Sequence, residues 1–395
     1  MSFADFIREH EGDDPVRLLL SRDKYPDIDL DLAVTTLEVR KKLKAKVPEW
    51  YAVPSLVYPS RLSGEQCSSS ETARYKASLT SCLSIADLTG GMGVDCWAFA
   101  QVAEEVLYNE MNDELVRSTE LNFRELGVGN VRFRNCKVEK GKVGAVLDGF
   151  VPDVIFLDPA RRGEDGRKVF LIEECQPDVV GLLPELFEES RFVMVKLSPM
   201  ADITMACKRL EHVKEVHVVA AGGECKELLF VMDREWEGPY STFVVENGAV
   251  MEIPGQARDE GRLGIPKEGN ILFEPGKALA KAGAFDLPCR FGLTKLGVHT
   301  HLYTGEAVPE GLEPFGKWFE VVEVLPLNNR TMKEVGKRWP QAEVTARNVP
   351  MTSDLLRKKT GCASGGDIHL FGVRVDAAEG AGNYLIVTKK RYGAN

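Results

Sequence analysis

The chain has 395 residues, with 50 Lys and Arg against 60 Asp and Glu, a formal net charge of -10 and 44% hydrophobic residues. This composition is typical of a globular protein with two or three domains, and it excludes disordered, collagen-like and disulfide-scaffold proteins. Apolar runs are shorter than the roughly 18–20 residues of a membrane span, and the amino terminus lacks a signal-peptide pattern. Nine cysteines without a Cys-x-x-Cys pair indicate a reduced, cytoplasmic protein.

The first part of the chain, residues 1–80, is predicted to be helical. The segments ADFIREH and DLAVTTLEVRKKLKAKV have helical patterns, and the second ends near Pro48. In the segment SSSETARYKASL, Ser68 and Glu71 have the spacing of a capping box, which predicts that a further helix begins there.

Residues 81–235 alternate between short apolar runs and helical segments. The runs are LSIADL, EVLYNE, VRFRNC, DVIFLD, RFVMVKL, EVHVVAA and ELLFVM. Alternation of strands and helices predicts a parallel sheet covered by helices on both faces. Only GGECK separates the last two runs, which is too short for a crossover helix, so the seventh strand is predicted to be antiparallel.

The remaining chain is predicted to form two small domains. Residues 238–320 contain 13 Gly and 7 Pro, which indicates a turn-rich domain with a few strands and a helix near PGKALAKAGAF. Residues 321–395 show an α+β pattern and carry 12 Lys and Arg against 7 Asp and Glu. This local charge of +5 favours binding of a polyanion, although small domains also vary around neutrality without binding one.

A glycine-rich turn follows the first strand of the predicted sheet. The sequence Asp87-Leu-Thr-Gly-Gly-Met-Gly93 opens a helix, and such turns let the backbone approach a nucleoside closely. Glu110 ends the second strand, 17 residues after Gly93, where an acidic side chain can accept hydrogen bonds from ribose hydroxyls. The alternative interpretations are a simple chain reversal and a surface glutamate. Together the two features predict a nucleoside cofactor.

The end of the fourth strand, VIFLDPARRG, narrows the choice of cofactor. Pro159 directs the chain out of the sheet and presents Asp158 and Arg161 at the crevice where open α/β sheets bind ligands. Dehydrogenases have no general need for this element, whereas methyl transfer requires a group that orients the nucleophile. The alternative is a structural strand exit with an Asp–Arg ion pair.

These motifs resemble those of a known family. The segments DLTGGMGVD, YNE, LDPARRG, VKLSPM and VVAAGGECKELLFV resemble class I S-adenosylmethionine-dependent methyltransferases. Most similar is a bacterial family that joins this domain to ferredoxin-like and THUMP-like domains, and SGEQCSSSETARYKA and TARNVPMTSDLLRKK also resemble its segments. The resemblance implies an α/β fold with a seven-stranded Rossmann-like sheet whose last strand is antiparallel. Thr89 departs from the pattern, because the usual loop has glycine there.

The expected domains are a helical N-terminal region (1–80), a methyltransferase domain (81–235), a ferredoxin-like domain (238–320) and a THUMP-like, RNA-binding domain (321–395). THUMP domains are associated with RNA modification, so the resemblance implies S-adenosyl-L-methionine as cofactor and structured RNA, tRNA or rRNA, as substrate. Three alternatives remain open. They are a methyltransferase for a protein or small molecule, a non-catalytic RNA-binding protein, and, more weakly, an NAD-dependent dehydrogenase.

Three sets of site residues are expected. The cofactor-binding set is Asp87, Thr89, Gly90, Gly91, Gly93, Asp95, Glu110, Met111 and Asp158. The catalytic set is Asp158, Pro159, Arg161 and Lys196, with Asp158 orienting or deprotonating the acceptor. The substrate-binding set is Arg161, Arg162, Ser198, Arg357, Lys358 and Lys359. Direct in-line transfer is expected, because no cysteine nucleophile follows strand four or five.

Two further features leave alternatives open. The helix that carries Arg74 and Lys76 is expected either to cross the cofactor mouth or the RNA path, or to be a solvated amphipathic helix. His299 and His301 are placed on one face of a strand, but the sequence offers no third ligand nearby, so no metal site is expected.

Overall fold

The computed structural model describes residues 1–80, 84–161, 172, 175–254 and 261–391. These residues form two compact units. The first comprises 1–216 and 227–240, and the second comprises 217–226 and 241–395. Each unit is described by itself below.

Helices make up the N-terminal part of the first unit. They are α1 (Phe3–Glu9), α2 (Pro15–Leu20), α3 (Leu30–Lys46), α4 (Pro48–Tyr51), α5 (Arg61–Gln66) and α6 (Ser70–Ser78). The helices predicted from ADFIREH and DLAVTTLEVRKKLKAKV are therefore present as α1 and α3. Side-chain caps define several starts: Asp29, for example, accepts a hydrogen bond from the backbone N–H of Leu32 at the start of α3.

The predicted capping box at the start of α6 is wrong. The N-cap is Ser69, whose hydroxyl accepts a hydrogen bond from the backbone N–H of Thr72. Ser68 instead donates to the Asp95 carboxylate at 2.8 Å. The Ser68 hydroxyl thus binds Asp95, which is distant in the sequence, although the local spacing had assigned this hydroxyl to the cap of α6.

Aromatic packing joins the N-terminal helices to the sheet domain. Trp50 is fully buried and stacks on Tyr58 at a centroid distance of 6.4 Å. Its edge contacts are with Trp97 and Phe123, both at 6.2 Å and nearly perpendicular. Since Trp97 and Phe123 belong to helices that follow the first and second strands of the sheet, the N-terminal helices share one core with it.

The sheet domain of the first unit alternates strands and helices. Its strands are β1 (Ser84–Asp87), β2 (Glu105–Asn109), β3 (Val131–Arg134), β4 (Val154–Leu157), β5 (Ala160–Arg161), β6 (Cys175–Gln176), β7 (Phe192–Leu197), β8 (Val213–Ala221) and β9 (Glu224–Asp233). Of the last two strands, residues 217–226 are assigned to the second unit. Its helices are α7 (Val94–Phe99), α8 (Asp113–Glu125), α9 (Val143–Leu147), α10 (Val179–Glu189) and α11 (Ile203–Arg209).

Strand pairing confirms the predicted sheet with its antiparallel last strand. β1 lies between β2 and β4, β3 extends the sheet beyond β2, and β7 extends it beyond β4, all in parallel. β9 then pairs antiparallel with β7, from Phe192 opposite Asp233 to Leu197 opposite Leu228. Gly222 and Gly223, both with positive φ, form the short turn between β8 and β9. The carboxyl ends of β1, β2, β4 and β7 therefore lie along one edge.

Helix α10 lies within the stretch from Lys168 to Glu189, which is long enough for a helix. It starts at Val179, where Asp178 caps it by accepting from the backbone N–H of Gly181. The two residues of β6 before it pair antiparallel with β5. Residues 168–171 and 173–174 lie outside the described part of the chain.

The second unit contains further strands and helices. The strands are β10 (Ser241–Glu246), β11 (Ala249–Ile253), β12 (Ile271–Pro275), β13 (Thr294–Lys295), β14 (Tyr303–Gly305), β15 (Gly316–Pro326), β16 (Glu343–Arg347), β17 (Ile368–Val375) and β18 (Gly382–Arg391). The helices are α12 (Lys277–Ala282), α13 (Leu287–Arg290), α14 (Asn329–Arg338) and α15 (Ser353–Thr360).

One sheet of the second unit has the order β13-β14-β12-β15-β18-β17-β16. It takes strands from both of the predicted C-terminal domains, since β15 pairs with β12 on one side and with β18 on the other. The expected boundary between 320 and 321 thus falls inside β15. The domain limits given above stay predictions.

We expect Trp50→Ala to lower the free energy of unfolding by about 3–5 kcal/mol, because it leaves a cavity among Tyr58, Trp97 and Phe123. The control is Leu20→Ala, at a side chain that is 83% exposed. Urea unfolding followed by tryptophan fluorescence and circular dichroism measures both. Equal stability of the two variants would contradict a core shared by the helices and the sheet.

Candidate active site

The glycine-rich turn between β1 and α7 requires its glycines. Gly91 and Gly93 have φ values of 53° and 89°, which favour glycine. A Cβ on Gly90 would lie 2.2 Å from a ring carbon of Tyr108, and one on Gly93 would lie 2.6 Å from the Thr119 methyl group. Side chains at these positions would displace the turn, so the predicted loop geometry has a steric basis.

Hydrogen bonds fix this turn to the end of β2. The Glu110 carboxylate accepts from the backbone N–H of Gly91 at 3.0 Å and from that of Asn112 at 2.9 Å. The backbone N–H of Gly90 donates to the carbonyl of Asn109 at 2.8 Å. The structure therefore brings together the two features that the sequence placed 17 residues apart.

Thr89, the departure from the usual glycine pattern, contacts the end of β4. Its hydroxyl oxygen accepts a hydrogen bond from the backbone N–H of Asp158 at 2.6 Å. This contact links the glycine turn directly to the Asp-Pro-Ala-Arg segment. The threonine thus has a structural role in the loop that sequence reasoning missed.

Asp158 and Lys196 form an ion pair at the same edge. The ammonium group of Lys196, near the end of β7, donates to Asp158 Oδ2. The Lys196 side chain is 13% exposed and that of Asp158 is 34% exposed. Burial lowers the pKa of Lys196, but the carboxylates of Asp158, Glu227 and Asp95 more than compensate, so its pKa lies above the ordinary value. Lys196 is therefore a cation across the physiological range.

The other residues predicted to belong to the site lie in different surroundings from one another. Pro159 follows Asp158 at the exit from β4, and the Ser198 hydroxyl accepts from the backbone N–H of Met200 just beyond β7. Met111 is 64% exposed. Of Arg161 the structure describes only the backbone, in β5, and Arg162 lies outside the described residues.

Asp87 has a buried oxygen without a partner. Its Oδ1 accepts from the backbone N–H of Thr89 at 3.1 Å, whereas Oδ2 has no hydrogen-bond partner among the described residues. Burial and, next, the charge of Asp95 raise the pKa of Asp87 well above its usual range. A buried carboxyl oxygen of this kind is expected to contact a donor that arrives with a ligand.

A buried ionic cluster, here called the Lys76 cluster, joins α6 to the site. Lys76 is fully buried, and its ammonium group contacts the two carboxylate oxygens of Glu227 at 2.6 and 2.8 Å and Asp95 Oδ1 at 3.2 Å. It also donates to Ser68 Oγ at 3.0 Å. For Lys76 the solvated alternative was wrong, while Arg74 on the same helix is 58% exposed and pairs with Glu49. The sequence of the segment SSSETARYKASL did not indicate that Lys76 pairs with Glu227, which is distant in the chain.

The charge balance of the edge fits a cationic ligand. The carboxyl groups of Asp87, Asp95, Asp158, Glu110 and Glu227 gather here, and Lys76 and Lys196 are placed among them. A cation with N–H donors has the chemistry to pair with the unpartnered oxygen of Asp87. S-adenosylmethionine, which carries an ammonium and a sulfonium group, has this chemistry.

The predicted phosphate contacts of the second unit lie on α15. Arg357 donates to the carbonyl of Ala342 at 3.1 Å and to the carboxylate of Glu343 at 3.2 Å, so it also stabilises the packing of its own helix. Lys358 and Lys359 are exposed. The Lys359 ammonium group contacts Asn329 Oδ1 at 3.3 Å.

The two histidines near residue 300 lie in and just after a turn, not in a strand. Their predicted placement on one face of a strand was wrong: residues 298–300 form a turn, and His301 has a φ of 51° and stacks on Phe285 at 3.8 Å. Among the residues that the structure describes, no group of three or more His, Cys, Asp and Glu side chains has the arrangement of a metal site.

Within the described part of the chain, no helix is long and apolar enough to cross a membrane.

The strand order, the antiparallel last strand and the motifs at the strand ends define a class I methyltransferase fold. A crystal structure described as that of a "putative methyltransferase" from Porphyromonas gingivalis W83 matches with a TM-score of 0.85 and 31% sequence identity, over 99% of this chain and 98% of that one. The chain belongs to the same family, in which a methyltransferase domain is joined to ferredoxin-like and THUMP-like domains. Family models match a ferredoxin-like domain at residues 272–311 and a THUMP domain-like region at residues 316–390.

Shorter matches connect the chain to RNA methyltransferases. A protein named "Uncharacterized RNA methyltransferase" from Enterococcus faecalis is 32% identical over 102 residues, which are 26% of this chain and 22% of that protein. A Streptococcus mutans protein of the same name is 28% identical over 141 residues, which are 33% of this chain and 31% of that protein. The chain therefore matches less than a third of the length of these curated relatives.

The raised pKa of Asp87 predicts a pH-dependent stability difference. In the folded protein Asp87 holds its proton more tightly than in the unfolded chain, so its contribution to the free energy of unfolding falls as the pH rises from 3.8 through the folded pKa. We expect Asp87→Asn to be more stable than the wild type at pH 7–8, by about 1.4 kcal/mol per unit of pKa elevation. The difference should vanish below pH 4.

Urea unfolding at a series of pH values measures this difference. Asp27→Asn, at an exposed turn, is the matched control and should leave the pH dependence unchanged. If Asp87→Asn were less stable than the wild type throughout the neutral range, the buried carboxyl group would be stabilising and the prediction would be wrong.

Proposed function

We propose that the protein is an S-adenosylmethionine-dependent methyltransferase that modifies a nucleotide of structured RNA, tRNA or rRNA, in the cytoplasm. The proposal depends on one observation. The glycine turn, Glu110 and the Asp158–Lys196 pair lie together at the carboxyl edge of the sheet, where open α/β sheets bind their ligands. Membership of the methyltransferase family supports the same reaction class.

The cofactor would be held by the residues of this edge. The backbone at Gly91, where a Cβ would meet only the Thr89 carbonyl oxygen at 3.9 Å, would accommodate the methionine part, with Asp87 Oδ2 accepting from its ammonium group. The carboxylate of Glu110 would accept from the ribose hydroxyls. Asp95 would act through the Lys76 cluster, because its carboxylate is already engaged by Lys76 and Ser68. When bound, S-adenosylmethionine supplies an electrophilic methyl group.

Asp158 is the residue proposed to orient the acceptor. The ion pair with Lys196 fixes its carboxylate in position, so the other carboxylate oxygen can accept a hydrogen bond from an exocyclic amine or hydroxyl group. As the acceptor becomes methylated, its proton passes to Asp158 or to solvent. Orientation of this kind supplies up to roughly 7–11 kcal/mol of barrier reduction, and no covalent enzyme intermediate is needed.

Three observations favour RNA as the substrate. The THUMP-like region covers residues 316–390, and the relatives that share short segments are named as RNA methyltransferases. The local charge of +5 in residues 321–395 suits a polyanion. Exposed Lys358 and Lys359 on α15 are proposed to contact phosphates.

The activity is tested by transfer of labelled methyl from S-adenosylmethionine to total RNA from cells that lack this protein. We expect label in RNA, and we expect Asp158→Ala to reduce the rate about 10²- to 10⁴-fold, as loss of a positioned proton acceptor does. Asp27→Ala, a matched substitution in the exposed turn, should transfer methyl at the wild-type rate.

Each outcome distinguishes among the alternatives. Label that enters only a protein or metabolite fraction would replace RNA as the substrate class. Binding of S-adenosylmethionine without transfer to any fraction would favour a non-catalytic protein. An Asp158→Ala protein with the normal rate would remove Asp158 from the chemistry.

RNA binding by α15 gives a separate prediction. Lys358→Glu combined with Lys359→Glu should weaken binding of tRNA or rRNA fragments, and should lower the slope of log K against log salt by about 0.9 for each phosphate that the helix no longer neutralises. The matched control is Lys24→Glu with Lys140→Glu, two exposed lysines of the first unit. Fluorescence anisotropy over a range of KCl concentrations measures both, and identical slopes would exclude α15 from the RNA interface.

A further inference from the structure

Lys76 is buried in a way that calls for an explanation. Its side chain is 0% exposed, and its ammonium group contacts Glu227, which is 2% exposed, and Asp95, which is 9% exposed. Burying such charges is strongly unfavourable before pairing, and a hydrophobic replacement of the pair is often as stable. A purely structural role therefore gives little reason for an ion pair at this point.

The Lys76 cluster continues into the candidate active site. β9 brings Glu227 beside the end of β7, since its neighbour Leu228 pairs with Leu197. Burial raises the pKa of Glu227, and the charges of Lys76 and Lys196 oppose this effect. Lys196 in turn interacts with Asp158 and Glu227. Lysine and carboxylate thus alternate from Lys76 through Glu227 and Lys196 to Asp158.

Lys196 has two carboxylates within its field. It donates to Asp158, while Glu227 is already neutralised by the bidentate contact with Lys76. Without Lys76, Glu227 would be a buried carboxylate whose remaining cation is Lys196. Because an uncompensated buried charge is far more costly than a half-exposed one, Lys196 would move to Glu227 and leave Asp158.

We propose that Lys76 is a positioning residue for methyl transfer. By neutralising Glu227, it leaves Lys196 free to pair with Asp158 at the acceptor site. Helix α6, which precedes the methyltransferase sheet in sequence, is on this account part of the active-site machinery. The inference rests on the proposed function for its catalytic consequence, but the choice of partner by Lys196 does not depend on any substrate.

The groups around Asp158 determine its position. These are Lys196 on β7, Asp87 at the end of β1, and, beyond Lys196, Glu227 on β9 and Asp95 on α7. Lys196 is the cation that holds the Asp158 carboxylate by direct contact. If Lys196 leaves, Asp158 loses this contact and with it the fixed position from which it would orient the acceptor.

The test compares four variants of the full chain. In Lys76→Met, Glu227 loses its cation; in Lys76→Met with Glu227→Gln, both charges are absent; in Glu227→Gln alone, Lys196 has no competitor for Asp158. Lys76→Arg is the conservative variant. Lys295→Met, at a lysine of the second unit that is 8% exposed, controls for loss of a buried lysine.

The first readout is structural and needs no substrate. Crystal structures should show the Lys196 ammonium group on Glu227 in Lys76→Met, and on Asp158 in Glu227→Gln and in the double variant. A Lys196–Asp158 pair that persists in Lys76→Met would overturn the inference. If Lys76→Met does not fold, Glu227→Gln and the double variant decide, because loss of the Lys196–Asp158 pair in either would overturn it as well.

The second readout is the rate of methyl transfer to total RNA. We expect Lys76→Met to be slower by about 10²-fold, as for a small misplacement of a reacting group. The double variant and Lys76→Arg should regain the wild-type rate. A rate that stays low in the double variant would indicate a merely structural role for Lys76. Absence of transfer by the wild type would refute the proposed function and leave the crystallographic test intact.

Discussion

Electrostatic balance at the carboxyl edge of the sheet is the constraint on which the rest of the first unit depends. Asp87, Asp95 and Glu227 are almost completely buried there, and carboxylates in such surroundings are stable only near cations or in the protonated form. The chain supplies one lysine from a helix before the sheet and one from a central strand. The balance remains in favour of negative charge, so the crevice is suited to a positively charged ligand.

The sheet was predictable because its signals are local. Short apolar runs separated by helical segments define parallel strands, and the five residues between the last two runs leave room only for a hairpin. The cap of α6 was not predictable in this way. Ser68 and Ser69 are equally good caps by local rules, and the choice between them depends on Asp95, 27 residues beyond Ser68 in the chain.

The convergence of the strand-end motifs at one edge was predictable for a similar reason. Parallel strands end at a common edge, so motifs that follow strands one, two, four and five had to converge, and those of Gly91, Glu110 and Asp158 do. The Lys76–Glu227 contact joins residues 151 positions apart, and the segments that contain them give no sign that the two side chains meet. The role of Thr89 could not be predicted either, because its hydrogen-bond partner is the backbone N–H of Asp158 and not a side chain that the sequence identifies.

Strand β15 makes the two C-terminal modules depend on each other structurally. The ferredoxin-like and THUMP domain-like models divide just before it, yet β15 carries the hydrogen bonds of β12 on one side and of β18 on the other. Neither module can be separated from the other without opening an unpaired sheet edge, which invites aggregation. The two modules are therefore expected to unfold together in one thermal transition.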